Sequence, residues 1–336
     1  MSGEAEGPGS GEDRLIARHF RPLARHPAAF GLADDAAAFP PPAGCDLVLK
    51  TDPIIAGVHF LADESGDAVA RKALRVNLSD LAAKGAQPAG FLLALALPGD
   101  IGEAWLTAFA AALGEDAEAF GCPLLGGDTD RTPGPLTVSI TAFGTLPHGT
   151  MVRRNGARAG DRVVVTGTIG DAALGLRLRR DPGLAARWTL DPTMAAHLVA
   201  RYRIPQPRNA VAELVRRHAS GAMDISDGFA GDLAKLTRAS GVRAEIDLRR
   251  LPLSPGARAA LAAEPGLLAT IVGGGDDYEI LCTVSPAELA PFVAAAAVAG
   301  VPVTEVGHIA AGEGFPAYSG DSGQLQGLGR PSYSHF

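Results

Sequence analysis

Seven apolar segments of this chain end the same way, on an aspartate set beside glycine, serine or threonine. They read GLADDAA (Asp34, Asp35), KTD (Asp52), NLSD (Asp80), GGDTD (Asp128, Asp130), TGTIGDAA (Asp171), MDISDG (Asp224, Asp227) and GGGDDYE (Asp276, Asp277). Apolar runs that stop at turn-forming residues and alternate with helical patterns belong to mixed α/β architecture. A single Asp beside Gly is more often a turn residue or a helix N-cap, and Asp130 and Asp171 are read that way. Recurrence in both halves of the chain sets the others apart.

The periodicities fill in the elements between these acids. RLIARHF begins a short helix, and DLVLKTDPII is a strand-like run. Residues 67–84 read as a helix closed by Gly85, with Leu74, Leu78 and Leu81 as its buried stripe and Asp80 turned away from them. AGFLLALALP is a buried strand, and residues 103–120 form an amphipathic helix. PLLGGDTD and LTVSITAFG read as a strand pair joined by a polar loop. TLPHGT interrupts the pattern and predicts a boundary, giving an N-terminal domain over 14–148 and a C-terminal α/β domain over 149–336. Residues 1–13 are acidic and Gly-rich and are expected to be disordered. In the second half, DRVVVTGTIGDAALGLRL is strand, turn and helix. GAMDISDGFAGDL repeats that unit, with Phe229, Leu233 and Leu236 as the helix's buried face.

Composition excludes several functions. A net charge of −7 argues against nucleic acid or an anionic membrane as the main partner. The first residues lack the basic-then-apolar order of a signal peptide, and no apolar run reaches the roughly 18 residues that span a bilayer, so a cytoplasmic protein is expected. Cys45, Cys122 and Cys282 are odd in number and far apart, which predicts buried thiols and no disulfide framework or zinc knuckle. Lysines occur only at 50, 72, 84 and 235, and no G-x-x-x-x-G-K-[ST] exists, so a P-loop is excluded.

The stretch 221–233 poses the chemical problem. Gly228 and Gly231 would let backbone N–H groups approach a phosphate at a helix N-terminus, yet Asp224, Asp227 and Asp232 would repel it. Either the acids only cap the helix, or a cation stands between them and the anion. Mg²⁺, bound by one or two carboxylates with waters and substrate phosphates, suits that place.

GLADDAA, KTDPIIAGVHF, KALRVNLSDLAAKGAQP, LLGGDT, RRNGARAGDRVVVTGTIGDAALGL, MDISDGFAGDL and GGGDDYEIL, in this order, resemble the thiamine-monophosphate kinases of the aminoimidazole-ribonucleotide synthetase superfamily. The resemblance runs from about residue 14 to the terminal SYSHF. It implies two α/β domains with mixed sheets, the N-terminal sheet pairing with that of a second subunit in a homodimer. It implies ATP-dependent phosphorylation of thiamine monophosphate to thiamine diphosphate, with ATP as co-substrate and several Mg²⁺ ions. By position, Asp35, Thr51, Asp52, Asp80, Asp128, Asp224 and Asp227 match the family's metal sites. Asp52, Asp80, Asp128 and Asp227 are those taken as catalytic. Gly127, Asp128, Arg154 and Ser226 match ATP contacts, and His59, Asp276 and Tyr333 match contacts to thiamine phosphate. Ala33, Lys50, Lys84, Asn155 and Asp276 depart from the family pattern. Another ATP-using enzyme of the superfamily, or an inactive phosphate-binding relative, remains an alternative.

Overall fold

The structure, a computed structural model, describes residues 11–320. It divides into two compact units. The first comprises the described residues up to Ala43, with Leu49–Asn77 and Pro88–Gly144. The second comprises Gly44–Val48, Leu78–Gln87 and the described residues from Thr145 onward.

The first unit is built on a four-stranded sheet of β1 (Cys45–Ile55), β2 (Gln87–Leu97), β3 (Leu124–Arg131) and β4 (Thr137–Pro147), in the order β1-β4-β2-β3. β2 and β3 are parallel, with Leu93 opposite Gly127 and Ala94 opposite Asp128. The helix Glu103–Ala119 joins them, as a parallel pair requires a crossover of this length. This corrects the expected pairing of β3 with β4. The crossover holds β3 parallel to β2 at the sheet's edge, and β4 takes the other side of β2.

Alternation along β4 buries Val138, Ile140 and Ala142 and turns Ser139, Thr141 and Phe143 to the opposite face. That face also carries Leu49 and Leu92, both exposed. The helix Gly66–Ala83 buries Leu74, Leu78 and Leu81 completely. It stops where Gly85 turns left-handed at φ +76° and donates its N–H to Ala82, while Ala86 donates to Leu81. These bonds satisfy the carbonyls a helix end leaves over.

The second unit carries six strands: β5 (Arg162–Thr166), β6 (Ala219–Asp224), β7 (Arg243–Asp247), β8 (Ile280–Val284), β9 (Val303–Ala310) and β10 (Ala317–Ser319). Their order is β10-β7-β9-β5-β8-β6. The helix Phe229–Ser240 follows β6 and packs Phe229, Leu233 and Leu236 into the core with Trp188. β6, β8 and β5 are successive antiparallel neighbours, with Asp224 opposite Ile280 and Val165 opposite Leu281. The strand ends bearing Asp224, Thr166 and Glu279 therefore meet at one edge.

Cys122 and Cys282 are buried free thiols, each pushed up to about 12 by desolvation. Cys45, expected to be buried, is only half-buried because it opens β1. Among the described residues no helix is long and apolar enough to cross a membrane.

Candidate active site

In the first unit the sheet and the preceding N-terminal segment border an open cavity of about 750 Å³. Asp35 enters it from that segment; Gly127 and Asp128 enter from β3, and Thr141 from β4. A Cβ on Gly127 would stand 1.9 Å from the Leu93 carbonyl oxygen, so only glycine lets β3 run this close to β2. The acids are oriented locally: Asp34 accepts the Asp35 N–H at 2.8 Å, and Asp128 accepts that of Thr129 at 2.9 Å. Thr51 lies at the cavity's edge, where its hydroxyl accepts from Thr141 at 3.1 Å.

Asp52, next along β1, points to the other face. Its backbone N–H donates to the buried Asn77 side chain at 2.9 Å. Its carboxylate meets the Lys50 ammonium at 3.1 Å, two residues back on the same face. The lysine is thus turned onto the acid. His59 accepts the Ile55 N–H on Nδ1 at 3.0 Å, which puts the proton of the neutral ring on Nε2.

The second unit contains Asp80, Arg154, Asp224, Ser226, Asp227 and Asp276. Asp80 is half-buried in the last turn of helix Gly66–Ala83. Just beyond it, Lys84 donates to the Ala222 carbonyl at 2.7 Å, tying the helix end to β6. Ala222 also donates its N–H to Arg153 at 3.1 Å. A Cβ on Gly156 would stand 1.8 Å from the Ser220 carbonyl oxygen, so the turn bearing Arg154 lies flat on β6. Arg154 itself is exposed.

The three acids at 224–232 now separate by role. Asp232, buried in the first turn of its helix, accepts the Asp227 N–H at 2.9 Å. This bond ties the loop ahead of the helix to its first turn; the N-cap itself is Gly228 and has no side-chain bond. Lys235 stands between two of the carboxylates: its ammonium bonds to Asp227 and, at 2.8 Å, to Asp232. Burial pushes Asp232 above its ordinary range, and Lys235 only partly offsets this. Burial also opposes the Lys235 charge, but the bonds to Asp227 and Asp232 outweigh it and hold the ammonium above its usual value.

The GGGDDYE loop closes over the same junction. Asp276 donates its N–H to Ser226 at 2.8 Å and Tyr278 to Ile225 at 2.9 Å. Gly275 sits at φ +72°, and a Cβ there would lie 2.4 Å from the Ser226 carbonyl oxygen. Asp276 and Tyr278 are themselves left-handed, at φ 62° and 50°. Each such residue costs on the order of 1–3 kcal/mol and persists only where the surroundings over-determine it. Between them Asp277 is fully buried, and desolvation pushes its carboxyl well above the usual range. Both its oxygens accept the Gly170 N–H, at 3.0 and 2.9 Å.

Behind the loop lies Glu279, with no exposed surface. It accepts from Arg208, from Arg201 at 2.9 Å and from the Thr166 hydroxyl at 2.7 Å. Asp171, read as a helix N-terminal residue, is likewise buried. Desolvation would raise it, but bonds from His197, Ser254 and Thr168 hold it below the ordinary carboxylate range.

The chain's kinship can be set beside this geometry. Residues 33–146 match the AIR synthase related protein, N-terminal domain, and residues 158–318 match the C-terminal domain of the same group. A thiamine-monophosphate kinase of Caulobacter vibrioides is 48% identical over 90% of this chain and 85% of its own length. The chain belongs to the thiamine-monophosphate kinase family. The thiamine-monophosphate kinase from Stenotrophomonas maltophilia K279a has TM-score 0.81 at 36% identity, covering 92% of this chain and 95% of that one. AaThiL complexed with AMPPCP and TMP has TM-score 0.75 at 30% identity, covering 90% and 91%. The two-domain AIR synthase-like fold expected from the sequence is therefore the fold of this family member.

Oxygen is the only donor type among the predicted metal positions. Two of them, Asp35 and Asp128, line one open cavity. Among the described residues no three His, Cys, Asp or Glu side chains gather into a cage. Carboxylates in ones and twos fit Mg²⁺, which completes its shell with waters and substrate phosphates. Tyr333 lies outside the described residues. Sequence reasoning missed the partnership of Lys235 with Asp227 and Asp232, and the cluster around Glu279. The first had a local signal, since Lys235 follows Asp232 at i+3 on a helix. The second had none.

Proposed function

We propose that this kinase-family chain transfers the γ-phosphoryl of ATP in line to the phosphate of thiamine monophosphate, giving thiamine diphosphate and ADP. The observation that carries the reading is the convergence of Asp35, Gly127 and Asp128 on one cavity, in a chain whose relative AaThiL is complexed with AMPPCP and TMP. Asp35, Thr51, Asp52, Asp80, Asp128, Asp224 and Asp227 would hold Mg²⁺. When bound, the ions would neutralise the two polyanions that must meet. Gly127, Asp128, Arg154 and Ser226 are the residues assigned to the nucleotide, Gly127 through its backbone. His59 and Asp276 face the thiamine phosphate. The acceptor phosphate, with a second pKa near about 6, is already largely dianionic at neutral pH. No general base is needed.

A second copy of the chain is the proposed occupant of this sheet face beyond the cavity, at the edge strand β1, where Leu49 is 63% exposed; an exposed apolar side chain on an unpaired edge suits an interface.

The test is ADP formation with and without thiamine monophosphate. Release that depends on the acceptor, with thiamine diphosphate as product, supports the reading. Steady ATP hydrolysis without it favours another ATP-using enzyme, and no turnover favours an inactive phosphate binder.

Two substitutions probe the roles. Arg154→Lys keeps the charge but loses the planar two-point grip. KM for ATP should rise about tenfold while KM for thiamine monophosphate barely moves, as expected for loss of one charged hydrogen bond. Equal effects on both would remove Arg154 from the nucleotide. Lys50→Ser frees Asp52 from an ammonium 3.1 Å away. The Mg²⁺ concentration for half-maximal rate should then fall by roughly threefold to tenfold, because the cation no longer competes with a fixed positive charge. An unchanged Mg²⁺ dependence would make the pair incidental.

A further inference from the structure

The strained pair Asp276 and Tyr278 needs something to hold it, and bonds to Ser226, Ile225 and Gly170 supply part of the hold. A buried arginine supplies more. Arg201, in the helix Pro192–Arg203, is nearly fully buried. Its Nη2 donates both to the Glu279 carboxylate at 2.9 Å and to the Asp277 carbonyl at 2.8 Å. One nitrogen therefore links the residue between the two strained positions to the carboxylate just after them. Glu279 is fixed in turn by Arg208 and by the Thr166 hydroxyl at 2.7 Å. Thr166 accepts the Ile280 N–H at 2.8 Å, and Ile225 donates its N–H to the Glu279 carbonyl at 2.8 Å. The space is tight: a Cβ on Gly167 would lie 2.0 Å from Glu279 Oε1 and 2.5 Å from Arg208 Nη2. From Asp276 to Ile280 the main chain is bonded at every residue.

We propose that Arg201 and Glu279 are positioning residues for phosphoryl transfer, holding the 276–278 backbone left-handed so that the Asp276 side chain is presented to the thiamine phosphate. The proposal rests on the functional reading above and extends it to residues that touch neither substrate. Arg201 supplies a buried donor that reaches the Asp277 carbonyl and the Glu279 carboxylate together. Glu279 supplies the counter-charge that lets two guanidinium groups stay there.

Arg201→Met tests this. It keeps much of the side chain's apolar bulk and removes both bonds, while Glu279 retains Arg208 and Thr166. Amide exchange across 275–281 should quicken by about tenfold or more, the scale of a lost bond to a charged group, with the rest of the sheet unchanged. KM for thiamine monophosphate should rise by about tenfold and KM for ATP by less than about twofold, with Arg201→Lys recovering part of the loss. Should Arg201→Met fail to fold, Thr166→Val gives the same readouts, because it removes one Glu279 donor and the Ile280 acceptor. Unchanged exchange, or quickened exchange with both KM values unchanged or equally raised, overturns the inference alone. A wild-type protein that forms no thiamine diphosphate overturns the functional reading, and the inference with it.

Discussion

Asp52→Asn is expected to lower kcat by about a hundredfold or more, the scale on which removing one group that stabilises developing charge acts, with the fold unchanged. The local geometry explains why the fold survives. The Asp52 backbone, through its N–H, is held by Asn77 at 2.9 Å, and this bond does not involve the carboxylate. The side chain's ion pair with Lys50 is partly exposed on both sides, and such pairs contribute about 0–1 kcal/mol. Thermal unfolding should therefore shift by no more than a few degrees. What is lost is the negative charge meant for Mg²⁺. Steady-state rates across a Mg²⁺ titration, with circular dichroism on the same preparation, measure both halves. Near-normal turnover at low Mg²⁺ would remove Asp52 from the metal set.

Glu279→Leu should do the opposite, removing stability first. Arg201 and Arg208 both spend their charge on this carboxylate, which has no exposed surface. Burial opposes the Arg208 charge, and Glu279 outweighs it, holding the guanidinium above its ordinary value. Breaking a buried pair from one side costs about 3–5 kcal/mol, because the remaining charge is left uncompensated. Here two are left. Against a typical total of about 5–15 kcal/mol, that lowers Tm by on the order of 10 °C. Glu213→Ala, at an exposed i, i+4 pair with Arg217, is the control and should stay within about 0.5 kcal/mol. Urea unfolding of the three proteins decides it. A loss under about 1 kcal/mol for Glu279→Leu would mean that the arginines find other compensation.

The elements were legible because they rest on neighbours in the chain. The stripe Leu74, Leu78 and Leu81 repeats at helical spacing, and Gly85 can turn left-handed without a Cβ penalty. Phe229, Leu233 and Leu236 identify a second helix in the same way. The acids at strand ends were legible as a repeated motif, and the family resemblance implied roles for Asp35, Asp52, Asp80, Asp128, Asp224, Asp227 and Asp276. Strand order was not. The βα unit through helix Glu103–Ala119 set β2 beside β3, and nothing local told β4 which side of β2 to take.

The same division runs through the site. The sequence by itself determined that the 221–233 junction carries too much negative charge to meet a phosphate unaided, and that the glycines there admit close backbone approach. Tertiary structure decided which lysines meet these acids: Lys235 folds back on Asp227 and Asp232, and Lys50 turns onto Asp52. It alone brought Arg201 and Arg208 to Glu279, more than seventy residues away along the chain. Helical and strand periods are written in residues a few positions apart. A buried charge is neutralised by whatever the fold delivers within about 3 Å, and that distance has no counterpart in sequence spacing.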